Sequence, residues 1–128
     1  MSKPFTYRDL EAWRQAMDLV EAIYLATSTF PTAERYGLTS QIRRAAVSIP
    51  TNVAEGHCRR STKAFANHVS IALGSHGEVE TCVEIATRLK FLSLQSRAEL
   101  LAASDSTGRL LNGLHVSLER KIARESAR

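Results

Sequence analysis

Apolar side chains recur every three or four positions along most of the chain, and the recurrence breaks at only a few places. Leu10, Trp13, Met17, Val20, Tyr24 and Thr27 step by three and four, with Leu19 and Ile23 widening the stripe. This spacing predicts a first helix with a broad apolar face. Thr6-Tyr7-Arg8-Asp9 has the spacing of a capping box for its start, and Pro31 predicts an end near Thr27–Phe30. Leu38, Ile42, Ala45, Ile49 and Val53 mark a second helix. Pro31 suits the first turn of that helix or a short turn leading into it, with Glu34 favourably placed near the start, and Gly37 would separate a short helical turn from the main helix. Gly56 is expected to close the second helix in a left-handed conformation.

After the link at 57–60, Ser61 or Thr62 caps a third helix. Its apolar face carries Phe65, Val69, Ala72, Val79, Val83, Ala86 and Leu89, with Ile71, Ile85 and Leu92 beside it. At about 30 residues and roughly 45 Å this is expected to be the longest element. Ser93-Leu94-Gln95 reads as a tight connection, and Ser96-Arg97-Ala98-Glu99 as a second capping box. Leu100, Leu101, Leu110, Leu111, Leu114, Leu118 and Ile122 line the fourth helix, which is expected to bend or fray at Ser104-Asp105-Ser106-Thr107-Gly108. The fold class is therefore all-α, an antiparallel up-down-up-down four-helix bundle. A single domain spans 5–122, with loose termini at 1–4 and 123–128.

One helix breaks a rule. Pro50 lies inside the second helix, where it removes a donor and frees the carbonyl of Ala46. A proline-kinked second helix is expected, with Ser48 and Asn52 placed to serve the interrupted backbone. The alternative is a binding notch, and the structural reading is preferred because kinks trace to local causes of this kind.

Composition adds little to the fold and limits the chemistry. The net charge of +4 permits a nucleic acid or an acidic partner without requiring one. The chain has no apolar run of membrane-spanning length and no secretion signal at its start, so no membrane contact is expected and a cytoplasmic location is. Two cysteines, Cys58 and Cys82, cannot build a disulfide framework. His57, Cys58, His68, His76 and Cys82 match no metal-ligand spacing, and neither a metal nor a cofactor is expected. His76 and Glu80 sit at the i,i+4 spacing of an ion pair. No phosphate-cradling loop or serine-nucleophile signature is present, so no catalytic residues are assigned and the protein reads as non-enzymatic.

Two patterns carry the functional reading. Arg43, Arg44, Arg59, Arg60 and Lys63 form the densest basic cluster, while the first helix is rich in acids. These cations either meet phosphates, which suit the forked guanidinium, or pair with acids between helices or subunits. No aromatic residue is interleaved with them, which argues against base stacking. Arg109, Arg120, Lys121, Arg124 and Arg128 form a second basic region, read as a helix end favoured by its dipole. The second pattern is Ser70, Gly74, Gly77 and Thr81, a stripe of small residues along the third helix. Interior glycines weaken a helix by about 1 kcal/mol each, so close approach of another helix, from this subunit or a neighbour, is expected to offset them.

Several of these residues stand in a familiar order. Phe5, Leu10 and Trp13, then Phe30-Pro31, Glu34, Tyr36-Gly37-Leu38, Gln41, Arg43-Arg44-Ala45, Ser48-Ile49-Pro50, Asn52, Ala54-Glu55-Gly56 and Arg59 resemble the four-helix-bundle family of 23S rRNA-intervening-sequence proteins. Ile71-Ala72, Gly74-Ser75 and Glu78 continue the likeness, which covers about residues 5–92; His76 departs from it, standing where an apolar residue is usual. The resemblance implies a bacterial helical protein that assembles as a homopentamer. It also implies kinship with the accessory variability protein of diversity-generating retroelements, which partners a reverse transcriptase. It implies no catalytic residues. The expected function is an oligomeric scaffold or adaptor whose partner is RNA, DNA or a nucleic-acid-processing protein, held by the basic cluster. The alternative is a protein–protein module whose arginines stabilise the oligomer.

Overall fold

The computed structural model describes residues 3–128, and among them there are four α-helices and no strands. They are α1 (Glu11–Thr27), α2 (Leu38–Cys58), α3 (Thr62–Arg88) and α4 (Leu94–Ser126). Each helix packs on two others in the cyclic order α1, α2, α3, α4. Contacts between connections fix the direction of the chain. Phe30, after α1, lies 5.7 Å from Phe91, after α3, so those two connections share one end of the bundle. Phe5, before α1, lies 5.8 Å from His57 at the close of α2, and Thr62 at the start of α3 meets Glu125 of α4. These contacts define the opposite end. Up-down-up-down connectivity follows.

The core is built of Leu19, Ile23, Ile42, Ile49, Val53, Val79, Val83 and Leu111, all fully buried. On α2 the expected stripe is the buried one. On α1 the buried stripe is Ala12, Ala16, Leu19, Ile23 and Thr27, whereas Met17 and Tyr24 stand partly in solvent. Alanines at 12 and 16 let neighbouring helices approach, and this rotates the larger side chains to the rim. Leu89, expected on the apolar face of α3, follows that helix and is exposed, as are Ile71 and Ile85 beside the face.

Several helix ends differ from the sequence expectation. The Thr6–Asp9 capping box is formed, but it closes a separate one-turn 3-10 helix at Tyr7–Asp9, and α1 begins afterwards. The turn at Thr32–Glu34 is also 3-10, and Glu34 Oε1 accepts the Leu38 N–H at 3.1 Å, capping α2. Ser93 rather than Ser96 caps α4, its hydroxyl accepting the Ser96 N–H at 3.0 Å. Gly56 does not end α2. The helix runs on to Cys58, and Arg60, with φ 56°, takes the left-handed position. Lys90 does the same after α3 with φ 64°. There the Phe91 N–H reaches Ala86 O and the Lys90 N–H reaches Thr87 O, the paired bonds of a Schellman motif.

α4, not α3, is the longest helix, 33 residues against 27. It passes unbroken through the weak stretch because tertiary contacts use those residues. Ser104, Thr107 and Gly108 are buried there, and Thr107 Oγ1 donates to Ala103 O at 3.1 Å. The segment 123–128, expected to be loose, is helical as far as Ser126, and residues 1–2 of the expected N-terminal tail lie outside the described residues.

One exposed ion pair ties α3 to α4. Arg97 Nε donates to Glu84 Oε1 at 2.6 Å and its Nη2 to Oε2 at 3.2 Å. The hydrogen-bonded guanidinium holds the Glu84 carboxyl below its ordinary value, and the carboxylate raises Arg97 in return. A carboxyl lowered on folding stabilises the fold above its unfolded value, and that contribution fades as pH falls through the folded one. Arg97→Gln is therefore expected to melt below the native protein at neutral pH. The difference should close in acid, as melting curves across pH will show.

Candidate nucleic-acid interface

Interior polar groups come first, because they decide which residues are free to act. Asn52 Nδ2 donates to Ser48 O at 2.9 Å and to Ser48 Oγ at 3.0 Å. Its Oδ1 accepts from His68 Nδ1 at 3.0 Å, and the Ser48 and Ser75 hydroxyls stand 2.8 Å apart. Asn52 thus joins α2 to α3 and does not serve Ala46, whose carbonyl lost its donor to Pro50. Thr51 Oγ1 reaches Val47 O at 2.7 Å, the next carbonyl along. Ser48, Pro50 and Asn52 belong to an unbroken helix; Ser48 and Asn52 are tied into the α2–α3 network, while Pro50 is buried at the floor of an apolar groove between α1 and α2.

A second network joins α3 to α4. His76 Nε2 lies 2.7 Å from Ser104 O and 2.9 Å from Ser104 Oγ, so its N–H is shared between them. The Ser104 hydroxyl donates to Glu80 Oε2 at 2.9 Å. A serine, a histidine and a carboxylate meet here, but the hydroxyl gives its proton to the carboxylate and Ser104 is 1% exposed. A nucleophile needs its hydroxyl directed at a base and open to substrate, so this is a fastening. It also accounts for Gly108, where a Cβ would lie 2.7 Å from His76 Cε1. Among the described residues no three potential metal ligands converge.

The basic cluster of the sequence is divided in space. Arg43 is occupied within the chain: Nε donates to Thr27 Oγ1 at 2.9 Å, and the guanidinium lies 4.5 Å from the centre of the Tyr24 ring. It braces the end of α1 against α2 and pairs with no acid there. Arg44 is exposed beside it. Arg59, Arg60 and Lys63 sit about 22 Å further along the α2 axis, at 1.5 Å per residue. Arg59 is bound to Glu55 at 2.9 Å, and this bond holds the Glu55 carboxyl below its ordinary value.

What the fold brings to Arg60 instead comes from distant sequence. One open groove of about 380 Å³ is lined by Phe5, His57, Arg60, Thr62, Phe65 and Lys121. A second, of about 530 Å³, shares Phe5, His57 and Arg60 and adds Tyr7, Arg8 and Cys58. His57 bridges two aromatic rings, with centroids 5.8 Å from Phe5 and 5.7 Å from Phe65. Arg8, Arg60, Lys63 and Lys121 make no ion pair among the described residues, although the Arg8 guanidinium rests 4.7 Å from the centre of the Tyr7 ring. The N-terminal segment and α4 therefore bring Phe5, Tyr7, Arg8 and Lys121 to His57, Arg60 and Phe65 of the local sequence. The capping box that holds Tyr7–Asp9 was the one sequence signal that this segment is ordered.

The small-residue stripe faces solvent. Ser70, Gly74, Gly77 and Thr81 are exposed, and a Cβ on Gly74 or Gly77 would meet nothing within 4 Å. Packing within the chain, one of the two expected explanations, is overturned. Exposed Ile71 and Ile85 lie on the same side of α3. A separate apolar groove between α1 and α2 is lined by Trp13, Met17, Val20, Val47, Pro50 and Ala54.

With the geometry in hand, the chain can be compared with known proteins. The model of the 23S rRNA-intervening sequence protein family matches residues 8–113. The chain belongs to that family. A crystal structure of a protein of unknown function from the S23 ribosomal protein family of Bacteroides thetaiotaomicron has the same fold, with a TM-score of 0.73 at 21% identity. The match covers 81% of this chain and 94% of that one. No curated protein matches the sequence. Among the described residues no helix is long and apolar enough to cross a membrane. Neither description names a reaction.

Proposed function

We propose that this member of the family is a non-enzymatic homo-oligomeric scaffold, a pentamer, that holds a nucleic acid or a nucleoprotein partner on a basic surface. The observation that carries the reading is the end of the bundle where Arg8, Arg60 and Lys121 line joined grooves and, among the described residues, make no ion pair. Unpaired cations facing a concave surface raise the local concentration of polyanions and contribute phosphate contacts.

Assembly is supported by two unpartnered surfaces of different kinds. The glycines of α3 weaken the helix by about 1 kcal/mol each and recover nothing within the subunit. The α1–α2 groove is apolar and open. Two different patches that meet make a head-to-tail contact, and such contacts form a ring where the rotation per subunit closes, as it does for a pentamer at one fifth of a turn. In the second reading, a purely structural protein–protein module, the same two surfaces act and Arg44 joins them.

Light scattering coupled to size exclusion tests both readings. A mass near five chains of 14.1 kDa is expected. A mixed RNA and DNA pool at low salt should shift it, and binding should weaken linearly in log affinity against log salt. A pentamer indifferent to nucleic acid would favour the protein–protein module. Gly74→Leu is expected to leave the helical content intact while lowering the oligomer mass, because its side chain meets nothing inside the subunit. An unchanged mass would remove the α3 face from the interface.

A further inference from the structure

We propose that the end of the bundle formed by Phe5, Arg8, His57, Arg60 and Lys121 is a single-strand nucleic-acid site, in which Phe5 is a stacking platform for a base and the three cations contact phosphates. The proposal rests on the nucleic-acid reading above and names its ligand class and its residues.

Phe5 is 63% exposed, yet its ring has a fixed neighbour in His57, which is itself set against Phe65. The two rings are tilted by 50°, so His57 is not stacked flat on Phe5, and an exposed aromatic face is what a stacked base requires. Arg60 stands where the two grooves meet, with Arg8 on one side and Lys121 on the other. Phe5 lines both grooves, so the ring and the three cations share one continuous concave surface that a strand could follow. The start of α3 opens into the same groove through Ser61 and Thr62 and adds partial positive charge.

Backbone conformation alone singles out nothing here, because Lys90 is also left-handed at the other end of the bundle. The neighbours of Arg60 make the difference. Acids are present nearby and limit the field: Glu55 is taken by Arg59, Asp9 accepts from the Thr6 N–H, and Glu125 accepts from Thr62. A duplex would meet the charges but could offer no free base face to Phe5. An acidic peptide would meet the charges and leave the ring unused. A single strand uses both.

The test is fluorescence anisotropy with a labelled oligothymidylate and with a duplex of equal length, at fixed low salt. The single strand should bind more tightly than the duplex. Phe5→Leu should weaken strand binding about tenfold and leave duplex binding nearly unchanged, since a stacked base is lost while the charges stay. Phe5→Trp should retain strand binding, and the strand but not the duplex should quench its emission beyond any change seen in the native protein, whose signal comes from Trp13. Arg60→Gly suits the left-handed backbone at φ 56°, so it removes the charge without harming the fold. It should weaken both probes and reduce the salt slope by about one.

Melting curves confirm that each variant is folded before binding is read. If Phe5→Leu binds the strand as well as the native protein does, or if strand and duplex bind alike, the stacking site is wrong and a charge-only surface remains. If neither probe binds at low salt, the nucleic-acid reading itself fails.

Discussion

Replacing Gly56 by leucine is expected to prevent folding, and replacing it by alanine to lower the melting temperature on the order of 5–15 °C. Gly56 lies inside α2, close against Phe65 and His68 of α3. A Cβ there would sit 2.7 Å from His68 Cβ, 3.0 Å from Phe65 Cδ1 and 3.2 Å from Phe65 Cα. Two of those atoms belong to or adjoin the α3 backbone and cannot turn aside as the end of a long side chain could. Alanine would gain about 1 kcal/mol of helix propensity, but forcing atoms into a filled interface typically costs about 1–3 kcal/mol, and with backbone opposing it the clash wins. Gly113→Ala is the control. Nothing lies within 4 Å of a Cβ at that position, so propensity acts alone and stability should rise by about 1 kcal/mol. Thermal melts of the three variants decide the matter, and an unchanged melting temperature for Gly56→Ala would show that α2 and α3 can separate without loss.

Asn52→Leu is the second large effect, a loss of about 2–3 kcal/mol. Asn52 binds Ser48 through Nδ2 and His68 through Oδ1. Leucine removes both ends and leaves the His68 Nδ1–H without its partner between two packed helices. An unmet donor in such a place loses its hydration and gains nothing in return. The double variant Asn52→Leu with His68→Leu should recover part of the loss, because the orphaned group is gone as well. A chemical-denaturation cycle over the four proteins measures the coupling. If the single and double variants lose stability additively, the two side chains are independent and the network is incidental.

His76 and Gly108 show how part of the design was hidden in the sequence. Each looks anomalous alone: a histidine on an apolar helix face, and a glycine in a weak stretch expected to bend. The fold pairs them across α3 and α4, the ring occupying the space that a Cβ on Gly108 would fill. Nothing local in either segment announces that match. The same holds for the alanines at 12 and 16, whose small size turns α1 so that Met17 and Tyr24, which the periodicity placed inside, reach solvent.

The basic residues separate in the same way. Arg43 and Arg60 belonged to one cluster by sequence distance, yet one is a brace between α1 and α2 and the other stands at the mouth of two grooves. Helical rise carries them to opposite ends of α2, and the aromatic ring nearest the free end comes from residue 5. By itself the sequence determined the number of helices, their order and the buried side of α2, because those depend on periodicity and capping within a few residues. Which cations are free, which glycines are filled and which face outward, and where an aromatic ring meets a positive charge were decided only by tertiary structure. Each of those facts is a distance between side chains far apart in the chain, and no local pattern encodes such a distance.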